Sequence, residues 1–237
     1  MPLSPRVPRL SPDSDIPPEA MARGKRAMVQ DAAWASLVGA LYGGVILVGF
    51  ALELGASPFI IGLLAAIPFL AQLAQLPAVV LIERLRQRRK LAVIVVWAAR
   101  AIILSLALLP WLADRPTQLA VLICAQVAIT LLGAMAGCSI NSWFHQLLAG
   151  QDLGALFAQR LIWSVVLASI GALAAGNLVE HWPFGERLHA YSVNFAFAGV
   201  AGFIGLYFLA RVPEPRMAQT GPAGSLPATA SAPRAIS

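Results

Sequence analysis

Apolar residues in this chain run in long unbroken stretches, without the two-residue alternation of a half-buried strand. Six such stretches can be marked, at residues 32–53, 57–82, 91–112, 118–140, 161–180 and 190–210. Each is about twenty residues long, the length that crosses a hydrocarbon core of about 30 Å as a helix. The breaks between them carry turn and charge chemistry: Gly55-Ala56-Ser57-Pro58, the run Glu83 to Lys90, Asp114-Arg115-Pro116-Thr117, a longer segment from Asn141 to Arg160, and His181 to His189. Lipid offers no partner to a backbone amide, so the pattern predicts helices throughout.

Composition supports this. Of 237 residues, 59% are hydrophobic and 12% charged, against about a quarter charged in soluble domains. That excludes a disordered acidic protein, a disulfide scaffold and almost any soluble enzyme. Prolines and charges gather at the ends. Residues 1–30 hold six prolines and no long apolar run, and read as a disordered cytosolic arm without a secretory signal. Residues 212–237 are rich in Pro, Ala and Ser and read as a flexible tail or linker. The six-helix domain expected between them covers 31–211.

The net charge of +6 is a matter of placement. Arg6, Arg9, Arg23, Lys25 and Arg26 precede the first stretch, Arg84, Arg86, Arg88, Arg89 and Lys90 follow the second, Arg160 follows the fourth, and Arg211, Arg216 and Arg234 follow the sixth. Only Arg115 and Arg187 fall on the opposite side, with Arg100 inside a stretch. Positive residues stay cytoplasmic, so both termini are expected inside, as an even number of crossings requires. The basic balance is therefore an orientation signal, and no nucleic-acid partner is expected.

Small residues recur four apart at Gly39/Gly43, Gly133/Gly137, Ser164/Ala168/Ala172/Gly176 and Ala201/Gly205, a spacing that lets helix backbones approach closely. Pro68 and Pro77 each remove a hydrogen bond from the second helix. Cys124 and Cys138 lie 14 residues apart in one stretch, about 21 Å along a straight helix, too far to pair. His145, His181 and His189 lack metal-ligand spacing. No metal, cofactor or nucleotide motif is seen. An intramembrane serine protease would need a membrane-embedded Ser/His pair; Gly137-Cys138-Ser139 has no histidine to answer it, so no enzymatic activity is expected.

The segment Leu54-Gly55-Ala56-Ser57-Pro58-Phe59-Ile60-Ile61-Gly62-Leu63-Leu64, then Pro68, then Glu83-Arg84-Leu85-Arg86-Gln87-Arg88-Arg89-Lys90, resembles the first three helices of a major facilitator superfamily (MFS) transporter. In that family the loop between helices 2 and 3 runs Gly-x-x-x-Asp-Arg-x-Gly-Arg-Arg. Glu83, Arg84 and Arg88 align with its Asp, first Arg and last Arg, while Val79 and Arg86 stand at the glycines and Gln87 at an arginine. Ser142-Trp143, Leu147, Gly154, Phe157 and Arg160 are similar to the pattern between helices 4 and 5 in one branch, with Ala155 in place of an arginine. Val212-Pro213-Glu214-Pro215 resembles the start of the family's central linker. The likeness covers residues 31–215, one six-helix half of a twelve-helix machine.

The resemblance implies an all-α polytopic membrane protein with two inverted three-helix repeats, at 32–112 and 118–210, both termini cytoplasmic, in a cytoplasmic (inner) membrane. It implies secondary transport of a small solute, with a second six-helix half, from another copy or a separate chain, completing the cavity. A non-transporting structural or regulatory subunit, or an inactive fragment, is the alternative. The first and fourth helices would face the cavity, making Tyr42 and Gln126, with Arg100, the substrate-pathway candidates. Arg100 lies ten residues beyond Lys90, about 15 Å deep. A charge there requires partners: an anionic substrate or coupling element, or structural partners among Gln72, Gln75, Gln126 and backbone carbonyls. Gln72 and Gln75 share a helix face and are expected to make helix–helix polar contacts. Glu83, Arg84 and Arg88 would form a cytosolic gating loop. Asp31, Glu53 and Glu180 are read as interfacial, with no coupling role.

Overall fold

The structure is a computed structural model that describes residues 16–75, 88–111, 114–148 and 153–214. Among the described residues every regular element is helical: α1 (Pro18–Tyr42), α2 (Gly44–Glu53), α3 (Pro58–Ala71), α4 (Arg88–Leu106), α5 (Arg115–Leu147), α6 (Leu153–Glu180) and α7 (Arg187–Leu209), with 3-10 turns at Gln72–Ala74 and Leu109–Trp111. The stretches Pro18–Glu53, Arg115–His145, Leu153–Glu180 and Arg187–Leu209 are long and apolar enough to cross a membrane. The described part of α3 has 14 residues, and α4 carries Arg88, Arg89, Lys90 and Arg100.

The expectation of a disordered arm over 1–30 is corrected from Pro18 onward. Proline ends at Pro18, which occupies the first helical turn of α1, where its missing N–H costs nothing. Glu19 follows in that turn, and the run to Gln30 consists largely of strong helix formers. Gly24, Ala27 and Met28 are buried, and a Cβ on Gly24 would lie 2.8 Å from Pro213 Cδ. Tertiary packing thus carries the helix well beyond the apolar stretch. The segment Asn141 to Arg160 likewise shortens to a connection, because α5 continues to Leu147 and α6 begins at Leu153.

The first apolar stretch is divided. Gly43 is extended and Gly44 takes φ +53°, a left-handed conformation that favours glycine. Gly39 and Gly43 therefore do not form a packing seam: nothing outside the helix approaches Gly39, and Gly43 meets only the Gly39 carbonyl. The next turn follows from its sequence as well. Gly55 sits at φ +84°, the Ala56 N–H donates to the Ala51 carbonyl at 2.9 Å, and these close α2 in the manner of a Schellman motif. Ser57 then caps α3, its Oγ accepting from the Ile60 N–H, with Pro58 at the first position.

α1 packs against α6 and α7, α4 against α5 and α7, and α3 against α5. Glycines in α7 set the close approaches. A Cβ on Gly199 would lie 2.7 Å from Leu104 Cβ, one on Gly202 would overlap the Arg100 stem, and one on Gly205 would lie 3.1 Å from Trp34 Cβ. In α6 the seam is Gly171, against Leu37 and Ala40, with the buried Ala175 one turn on, one residue out of register with the expected Ser164–Gly176 series. One buried cluster includes Tyr42, Phe50, Tyr191 and Phe195, with the Phe50 and Phe195 rings edge-on at 5.0 Å. A second, nearer the N-terminus of α1, gathers Met28, Trp143, Phe144, Leu209 and Val212.

Candidate functional site

Three segments converge where the first apolar stretch breaks. Tyr42, the last residue of α1, donates its hydroxyl to Gln126 Oε1 on α5. Both side chains are buried, at 6% and 5% exposure, and Tyr42 stacks edge-on against Phe195 at 5.8 Å. Gln126's own backbone carbonyl accepts from Thr130 Oγ1 at 2.7 Å. Beside this pair lies a cavity of about 460 Å³ whose walls include Gly44 and Val45 of α2, Leu64 and Pro68 of α3, and Gln126. Two of the expected pathway residues, Tyr42 and Gln126, are thus brought together by a hydrogen bond, and Gln126 is the one of the two that lines the cavity.

Arg100 stands elsewhere and does not line that cavity. Its stem lies across Gly202, on the α4–α7 seam. The glutamines expected as its partners are committed: Gln126 to Tyr42, and Gln72 to Gln75, whose amide donates to Gln72 Oε1. That pairing lies within one helical segment, between two residues expected to make helix–helix polar contacts. The polar contact from this segment to α5 is the Gln75 backbone carbonyl, which accepts from Cys138 Sγ at 3.9 Å.

The charge facing Arg100 is Asp31, a residue expected from sequence to be interfacial. Asp31 is 8% exposed, and the cations acting on its carboxylate are Arg160 first and Arg100 second. Arg160 lies seven residues into α6, its guanidinium 5.1 Å from the Phe144 ring centroid and 5.4 Å from that of Phe157, an arrangement that favours a cation over each face. One buried carboxylate and two guanidiniums from α1, α4 and α6 thus form a charge cluster. No direct ion pair joins them; among the described residues the ion pair that forms is Arg23–Glu19 on the surface, at 3.7 Å.

Of the expected gating residues, Glu83 and Arg84 lie outside the described residues. Arg88 donates to the Ser142 carbonyl at 3.0 Å. Around it the chain leaving α7 forms a strap. The Arg89 N–H donates to Glu214 Oε1 at 3.2 Å, the Arg89 guanidinium donates to the Ala210 carbonyl, and Trp143 Nε1 donates to the Pro213 carbonyl at 2.9 Å. Glu214 is 3% exposed. Burial pushes its carboxyl above the ordinary value, opposed by the backbone N–H groups and charges of Arg89 and Arg88.

Asp31, Arg160 and Glu214 were missed as site residues. The available signal for Asp31 was helical spacing, since Ala27, Met28, Asp31 and Val38 recur at three, four and seven residues. Arg160 and Glu214 gave no local signal beyond their place in the motifs compared above. Asn194 was also overlooked; its buried amide donates to the Ala175 carbonyl at 3.3 Å and ties α7 to α6. No protein-family profile, curated protein or solved structure matches the chain.

Proposed function

We propose that the chain is an MFS-like six-helix half that moves a small solute across a cytoplasmic membrane by alternating access, with both termini on the cytoplasmic side. The observation that carries this reading is the Tyr42–Gln126 pair at the glycine break of the first stretch. Interrupted helices and convergent polar groups beside a cavity are how transporters build midplane sites.

The helix pairing supports the same reading. With the six apolar stretches numbered in order, the principal contacts are 1 with 5, 1 with 6, 3 with 4, 3 with 6, and 2 with 4. Exchanging each stretch with the one three places away turns 1–5 into 4–2, turns 1–6 into 4–3, and leaves 3–6 unchanged. Successive crossings alternate in direction, so this exchange inverts topology, as an inverted three-helix repeat requires.

In this reading Arg100 is a structural cation held by Asp31, and the substrate path runs past Tyr42, Gln126 and Val45. The opposing wall comes from a second six-helix half. The test is the mass of the detergent-solubilised chain together with cysteine crosslinking. A dimer, or a stable complex with a second six-helix chain, is expected; a strict monomer that crosslinks to nothing overturns the proposal.

A further inference from the structure

A groove of about 690 Å³ lies apart from the Tyr42 cavity, between α1 and α6. Its character changes along its length. Lys25 and Arg26 stand at one end, Gln30 and Gln159 come next on opposite walls, and Trp34 and Trp163 mark the far end. Lys25 to Trp34 is nine residues, about 13 Å of helix, close to half of a hydrocarbon core of about 30 Å. A smaller cavity of about 380 Å³ adjoins it and shares Lys25.

Among the described residues no acid lines the groove to answer these two cations. Glu19 is taken by Arg23 at 3.7 Å, and Asp31 is buried with Arg160 and Arg100. A pair of cations at the membrane surface above an apolar, tryptophan-walled floor complements one kind of molecule, an anionic head joined to an aliphatic chain.

We propose that this groove is a binding site for an anionic phospholipid of the leaflet facing the N-terminal end of α1. Lys25 and Arg26 take the phosphate, Gln30 and Gln159 the glycerol and ester region, and Trp34 and Trp163 flank the acyl chain. The site requires only that α1 and α6 lie in a bilayer, and it is independent of transport.

The test uses the full chain in phosphatidylcholine vesicles doped with brominated phosphatidylglycerol or brominated phosphatidylcholine. Bromine quenches nearby tryptophan, and the signal of Trp34 and Trp163 is the part lost in a Trp34→Phe/Trp163→Phe variant. Each surface cation contributes a preference of about 5-fold, so the wild type should favour the anionic lipid by about 25-fold at low salt. Lys25→Gln/Arg26→Gln should bring the two lipids close to parity, while Arg23→Gln on the same helix leaves the preference intact. Gln159→Glu on the opposite wall should also weaken it, which keeps the proposal testable if the double variant folds poorly. Three results overturn the proposal: no anionic preference in the wild type, equal loss in Arg23→Gln, or displacement by soluble glycerophosphate, which would mark a site for a free anion.

Discussion

Replacing Asp31 with asparagine keeps the side chain's shape and removes the one negative charge between Arg100 and Arg160. Asp31 is 8% exposed, so water cannot take over the role of the carboxylate, and the cluster passes from one net positive charge to two. Removing one partner of a buried charge arrangement costs about 3–5 kcal/mol. Arg160 retains the Phe144 and Phe157 rings at 5.1 and 5.4 Å, whereas Arg100 has its stem packed on Gly202 and no such support. Because no direct ion pair joins the three groups, the expected cost lies below that range, about 2 kcal/mol, or a fall of about 4–8 °C in Tm for a chain of this size. Arg100→Gln alone should cost less, because Asp31 still faces Arg160. The double variant Asp31→Asn/Arg100→Gln should recover at least about 1 kcal/mol relative to the sum of the singles, the signature of residues in one network. Thermal unfolding in detergent measures all four proteins. Additivity within about 0.5 kcal/mol, or an Asp31→Asn variant as stable as wild type, would refute the placement of Asp31 as the counter-charge to Arg100.

Three further outcomes follow from named contacts. Tyr42→Phe keeps the ring against Phe195 but leaves buried Gln126 Oε1 without its donor, at a cost of about 1–3 kcal/mol in detergent unfolding. Gly199→Ala brings a methyl within 2.7 Å of Leu104 Cβ and should destabilise by about 1–2 kcal/mol after the gain in helix propensity, whereas Gly133→Ala, with nothing within 4 Å, should be neutral or stabilising by up to about 1 kcal/mol. Burial raises the Glu214 carboxyl, so ionising it works against the folded state. That penalty is absent below the ordinary carboxylate range and complete once pH has risen through the raised value. Glu214→Gln should accordingly gain stability relative to wild type as pH rises from about 3, below the ordinary Glu range, to about 8, well above it, and a pH-independent difference in unfolding temperature would contradict the assignment.

What could be read from sequence was local. Ser57-Pro58 after Gly55 specified a turn and a capped helix start, and both form. Twenty-residue apolar runs marked the helices because lipid-facing and buried positions are alike apolar, but the same uniformity hid which face packs. The small residues show this: Ala201 and Gly205 lie on a true seam, while Gly133 and Gly137 meet nothing within 4 Å and the α6 seam is shifted to Gly171 and Ala175. The Gly43-Gly44 break was hidden inside an apolar run, since a left-handed glycine leaves no hydropathy signature. Tyr42 and Gln126 were legible as polar groups at matching depth in two stretches. Asp31 was not, because its burial depends on α1 extending back to Pro18 and on α4 and α6 bringing cations to it, and that is tertiary information.

The transport proposal rests on the cavity beside Tyr42 and Gln126 being open to each side of the membrane in turn. Val45, on its wall, is 86% exposed, so a cysteine placed there in a chain carrying Cys124→Ser and Cys138→Ser displaces no buried packing. Labelling of Val45→Cys with a membrane-impermeant thiol reagent, in right-side-out and in inverted vesicles, tests this directly. The proposal predicts reaction from both faces. Reaction from neither face, as for a cysteine in lipid or a sealed core, or from one face only, would contradict it.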